Sequence, residues 1–270
     1  FNQDVSSWDV GSVTNMNQMF YAASSFNQDV SPWDISSVTN MSLLFAETSF
    51  DKDISVWDMI GVNSTNGMFA GTPFNQDIGN WDMSNVNNIN RMFNNTTEFN
   101  QDISSWDVSN VTDISGMFFN AQKFNQDVST KLVTLTNGST YTAWDVSNVE
   151  DMSYVFDGVS DFNQDISNWD TASVTSIKSM FAHSSYNPDI KTKVVTRSDG
   201  STYTAWDVSN VVDMSYAFDF NSAFNQDIGN WAISGAETTF RMLRGATSFN
   251  KNISTWDTAG VTTMYGMFKG

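Results

Sequence analysis

The chain has 270 residues, 40% of them hydrophobic and 14% aromatic, with no cysteine and a formal net charge of −18. This is the composition of a folded protein, and it excludes a disulfide framework and a thiolate metal site. The charge excludes a nucleic-acid binder and docking on an anionic membrane, because phosphate contact needs clustered Lys and Arg and only twelve are scattered here.

From Phe1 onward one phrase recurs, roughly F-N-Q-D-[IV]-S-x-W-D-[VI]-x-x-V-T-x-M-x-x-M-F-x-x-A. It carries all ten tryptophans: Trp8, Trp33, Trp57, Trp81, Trp106, Trp144, Trp169, Trp206, Trp231 and Trp256. Their spacings are 25, 24, 24, 25, 38, 25, 37, 25 and 25, a period of about 25 with two insertions. Units of this length cannot bury their own apolar faces and must stack on their neighbours, so residues 1–270 are expected to form a single solenoid domain, part of a longer array.

Counted from tryptophan, the apolar columns fall at −7, −3, 0, +2, +5, +8, +11 and +12. Tryptophan and the Val or Ile at +2 alternate around an Asp, which is strand periodicity. Val111, Ile114, Met117 and Phe118 show the spacing of a helical face. Each repeat is therefore predicted to be a short parallel strand plus a helical or 3-10 turn, an α/β repeat solenoid whose ten coils, about 4.8 Å apart, run for roughly 50 Å. All fourteen methionines fall at +2, +8 and +11, a gap-filling core suited to units that differ slightly.

Two aspartate columns, those of F-N-Q-D and of W-D, hold eighteen of the thirty acidic residues. Stacked carboxylates repel unless compensated. One reading has each accept backbone N–H groups of its own tight turn. The other is a calcium ladder, with Asp77, Asp102 and Asp127 as candidate ligands.

The two insertions, near 131–143 and 191–205, alternate β-formers around Asn137-Gly138 and Asp199-Gly200 and are predicted to be β-hairpins. Lying two repeats apart, they are expected side by side, as a four-stranded sheet on one flank. Insertions in repeat arrays often carry the binding face. The candidate binding residues are Lys131, Tyr141, Lys191, Lys193, Arg197 and Tyr203.

Enzymatic chemistry is not expected, and no cofactor is implied beyond that calcium. His183 is the only histidine, no nucleophile elbow or phosphate loop occurs, and the paired carboxylates recur in every unit, whereas an active site is singular.

The run V-T-x-[MI]-x-x-M-F-x-x-A-x-x-F-N-Q-D-[IV]-S-x-W-D-V resembles the repeat of the BspA-like leucine-rich-repeat surface proteins, in the variant of mycoplasma surface lipoproteins. Met stands in the Ile slot, Ala in the Cys slot and Phe in the final Leu slot. The resemblance covers the whole chain. It implies a leucine-rich-repeat-like right-handed coil, an extracellular or cell-surface setting, and adhesion to a protein or glycan partner, without any catalytic residue. The alternative is a structural protein whose copies assemble end to end: Phe1 and Phe268 place core columns at both ends, and solenoids need polar caps. Ala232, Ala236, Thr239 and Asn252 weaken the last repeats in the manner of a partial cap. No apolar run is long enough to span a membrane.

Overall fold

The computed structural model describes residues 1–197 and 199–270. Among the described residues there is no α-helix. The regular elements are β1 (Lys131–Thr134), β2 (Thr140–Ala143), β3 (Lys193–Thr196), β4 (Thr202–Ala205) and one 3-10 turn, Ile233–Gly235. This overturns the expected α/β solenoid of parallel strand plus helix, and with it the leucine-rich-repeat-like coil. The strands belong to the two inserted hairpins. Elsewhere the repeat is a succession of turns and irregular backbone, meeting the next repeat at one parallel bridge residue: Asn15, Asn40, Ser64, Asn88, Asp113, Asp151, Ser176, Asp213, Thr238 and Thr263.

The reason the helical spacing does not make a helix lies in where the backbone donors go. An α-helix spends every N–H on a carbonyl four residues back. Here the donors alternate. Within one repeat, the N–H groups of Met41, Leu43, Phe45 and Glu47 bond to the carbonyls of Ser64, Asn66, Met68 and Ala70 in the next repeat, while Leu44 and Ala46 bond three residues back to Met41 and Leu43. Turns of three residues place +8, +11 and +12 inward as a helix would, yet free every second donor for the neighbouring repeat. The alternation requires left-handed backbone at +10 and +14. Gly67 and Gly71 supply it at no steric cost, but Leu43 (φ 55°), Arg91 (φ 55°) and Tyr154 (φ 61°) adopt it too. A left-handed non-glycine residue costs about 1–2 kcal/mol, which the inter-repeat bonds hold in place.

The phrase F-N-Q-D-x-S-x-W-D is explained by the same stacking. The Phe at −7 lies against the Phe at +12 of the repeat before it, with ring centroids 3.7 Å apart for Phe45 and Phe50 and 3.8 Å for Phe93 and Phe99. The Asn at −6 accepts the backbone N–H of its counterpart one repeat on, as Asn100 Oδ1 does from Asn125 at 3.0 Å. The Gln at −5 donates to the same Asn, Gln126 to Asn100 Oδ1 at 2.9 Å. The tryptophan indole N–H donates to the −3 carbonyl of the preceding repeat, and Trp106 reaches Ile78 O at 3.1 Å. Nine tryptophans, Trp33 through Trp256, make this bond. A buried ring with one donor needs one acceptor, and tryptophan alone brings both the apolar area and the reach.

The core is the continuous file of these columns. Trp106, Trp144, Trp169, Trp206 and the phenylalanines of the −7 and +12 columns from Phe26 to Phe224 are fully buried, and the buried methionines fill between them.

Candidate functional site

The hairpins interrupt this regularity. β1 pairs antiparallel with β2 and β3 with β4, as two separate two-stranded sheets. The expected four-stranded sheet does not form, because the hairpins face one another across a cleft rather than edge to edge. The second hairpin begins at Lys193, two residues later than expected. The Asn137-Gly138 and Asp199-Gly200 turns are as the sequence implies, with Gly138 and Gly200 both at φ 84°. Each hairpin is pinned at its base, Thr130 Oγ1 donating to Trp144 O at 2.8 Å and Thr192 Oγ1 to Trp206 O at 2.7 Å. The tryptophan that follows each is turned into left-handed backbone, Trp144 at φ 49° and Trp206 at φ 51°. Their backbone N–H groups bond to the tryptophan carbonyl one repeat earlier instead of to their own −3 carbonyl.

Both hairpins lean back over earlier repeats, each fixed by a tyrosine. Tyr141 donates its hydroxyl to Ser105 O and Tyr203 to Asn168 O, the residue before a tryptophan in each case. The candidate basic residues are engaged with nearby acceptors, Lys193 and Arg197 with the earlier repeat and Lys131 and Lys191 within their own. Lys131 Nζ lies 2.9 Å from Asp127, Lys191 Nζ 3.5 Å from Asp189, and Lys193 Nζ 2.7 Å from Ser167 Oγ. Arg197 lies 3.0 Å from Asp170 Oδ2, its guanidinium 4.2 Å above the Tyr203 ring. The structure therefore brings Lys131, Arg197 and Tyr203 together around one cleft of about 690 Å³, which Leu132, Thr140 and Thr142 line from the first hairpin and Val195 and Thr196 from the second. Tyr141 lies in a separate cleft of about 560 Å³ beneath the first hairpin, with Val133, Leu135, Asp82 and Asp107. Lys191 and Lys193 line neither.

Burial pushes the Tyr141 hydroxyl above its ordinary range, and the Asp107 and Asp82 charges add to it. Burial also raises Tyr203, and there the Arg197 charge opposes the shift. Asp107, Asp170 and Leu135 were missed as site residues. The signal was present in the insertions laid over one another, where K-L-V-T-L-T-N-G-S-T-Y-T-A and K-V-V-T-R-S-D-G-S-T-Y-T-A set Leu135 against Arg197.

The calcium candidates sit in the turns of their own repeats. Asp77, Asp102 and Asp127 each accept the N–H two residues on, from Gly79, Ser104 and Ser129, at 2.9 Å. The Ser104 N–H and hydroxyl hold the Asp102 carboxyl below its ordinary range. Among the described residues no group of three or more His, Cys, Asp or Glu side chains converges as a metal site would. At the two ends Phe1, Trp8, Tyr265 and Phe268 are exposed, as the last member of any stacked column must be. Among the described residues no helix is long and apolar enough to cross a membrane.

A family model described as "Mycoplasma protein of unknown function, DUF285" matches the chain in four overlapping segments, residues 1–73, 46–140, 129–199 and 196–270. No curated protein and no solved structure matches.

Proposed function

From the premise that this chain belongs, over its whole length, to the Mycoplasma family of unknown function DUF285, we propose that it is a non-enzymatic repeat protein of the cell surface that binds a protein or glycan partner through the flank bearing the two hairpins. The surface setting rests on the likeness of its repeat to the BspA-like surface proteins. The binding face rests on one observation: among the described residues the two hairpins are the long insertions that interrupt the repeating stack, and they border clefts of about 560 and 690 Å³. Clefts of this size, lined by polar side chains around a few apolar and aromatic ones, suit a partner's side chains. Leu132 (52% exposed) and Val194 (72% exposed) stand on the hairpin faces turned away from the repeats they lean on, adding apolar surface to this flank.

The test is a binding screen of the purified chain against glycan and surface-protein arrays, run beside a variant lacking Lys131–Ala143 and Lys193–Ala205. The reading expects ligands that bind the intact chain and are lost from the variant. Ligands retained in full by the variant would move the binding face elsewhere.

A further inference from the structure

The two hairpins repeat one cradle, and only one copy holds a cation. Beneath the second hairpin, Asp170 spends Oδ1 on its own turn, accepting the Ala172 N–H at 3.4 Å, and Oδ2 on Arg197 at 3.0 Å. The guanidinium is held between that carboxylate and the face of Tyr203, 4.2 Å away. Beneath the first hairpin the counterparts are Asp107 and Tyr141. Asp107 likewise spends Oδ1 on its own turn, accepting Ser109 N–H at 3.0 Å and the Ser109 hydroxyl at 2.6 Å. The place of Arg197 is taken by Leu135, and no Lys or Arg lines the cleft of about 560 Å³. Among the described residues no basic group lies within 4.0 Å of Asp107 or of Asp82, the second carboxylate on the cleft wall.

We infer that the cleft beneath the first hairpin is a receptor for a guanidinium group, the arginine side chain of a protein partner. The argument is an internal comparison: a carboxylate and a tyrosine face at the same two positions hold an arginine in one copy and face an open cleft in the other. Charge and shape agree. A planar, weakly hydrated cation stacks on an aromatic face while bonding a carboxylate edge-on, which an ammonium does less well. Leu135 and Val133 supply the apolar wall along which an arginine stem lies. The inference rests on the hairpin flank being the binding face and adds the chemistry that one of its clefts selects.

The experiment is isothermal titration of the whole chain with acetyl-Gly-Arg-Gly-amide, with the lysine tripeptide and free arginine as comparisons. One molecule of the arginine peptide is expected to bind per chain, more tightly than either comparison. Asp107→Asn should weaken it about tenfold, since a charge-assisted hydrogen bond is lost. Leu135→Arg should abolish binding, because the chain then fills its own cradle. Arg197→Leu should raise the stoichiometry to two by opening the second copy, a gain that a misfolded variant cannot mimic. No saturable binding, binding indifferent to Leu135→Arg, or a stoichiometry of one in Arg197→Leu overturns the inference. Tighter binding of free arginine than of the peptide overturns the protein partner. If the array ligands are lost on hairpin removal while the peptide fails to bind, the guanidinium assignment falls and the flank assignment stands.

Discussion

In the stack, Trp106, Asn100 and Asp102 each bond a backbone group of their own or the adjacent repeat, and the same residue types do so along the chain. In the hairpins, Leu135 and Arg197 hold equivalent positions and behave differently, one leaving a carboxylate open and the other closing it. Recurrence in the first region is explained by structure alone: a column that varied would break a ladder. Difference in the second region has no such constraint, because the two hairpins pair in the same register and share the backbone bond from Gly138 to Leu135 and from Gly200 to Arg197 whichever residue is present. Within a repetitive protein the places to look for recognition are those where two copies of the same backbone carry different chemistry.

Substitutions that break the comparison should divide cleanly, with stack changes moving the melt and hairpin changes moving binding. The largest effect is expected for Trp106→Ala, which empties a fully buried site and removes one of the two hydrogen bonds to the Ile78 carbonyl, leaving that from the Trp81 N–H. A loss of about 3–5 kcal/mol follows from large-to-small core substitution, measured by urea unfolding. An unchanged midpoint would remove the tryptophan column from the core. Asn100→Ala should cost about 1 kcal/mol, since it strands the partly exposed Asn125 N–H and leaves the Gln126 amide only the backbone carbonyl at that position, and the same unfolding curve reads it.

The smallest effect is for Asp102→Asn at neutral pH, within about 0.5 kcal/mol, because Asn252 already serves that column and accepts the Ser254 N–H at 3.0 Å. Its consequence appears in acid. A carboxyl held below its ordinary range contributes stability that is present above about pH 4 and is lost as pH falls through its folded-state value. The asparagine variant should therefore lose less stability than the parent between pH 5 and about pH 2. Equal acid sensitivity would mean that Asp102 does not depend on its charge.

The apolar columns were legible because burial imposes a period that survives any local conformation. The turn role of Asp102 and Asp127 was legible too, since short polar side chains favour such turns. What could not be read was the backbone between them. Spacings of three and four look the same whether donors all point within the repeat or alternate to the next, and the left-handed positions that decide it carry Leu43, Arg91 and Tyr154 as well as glycine. The Asn–Gln ladder was hidden because polar residues in a polar-rich repeat resemble surface. The hairpins were announced by Asn137-Gly138 and Asp199-Gly200, but not which way each would lean, since Tyr141 and Tyr203 reach residues 36 and 35 positions earlier.

The most direct test of the division between stack and hairpins is thermal unfolding of the chain with both hairpins excised. Removing residues 131–143 and 193–205 leaves V-S-T-W and I-K-T-W, the former close to the regular I-S-T-W at residues 253–256. The account predicts one cooperative transition within a few degrees of the intact chain, with backbone strain at Trp144 and Trp206 relieved. Loss of cooperativity, or a chain that no longer folds, would make the hairpins part of the scaffold and contradict the assignment of recognition to them.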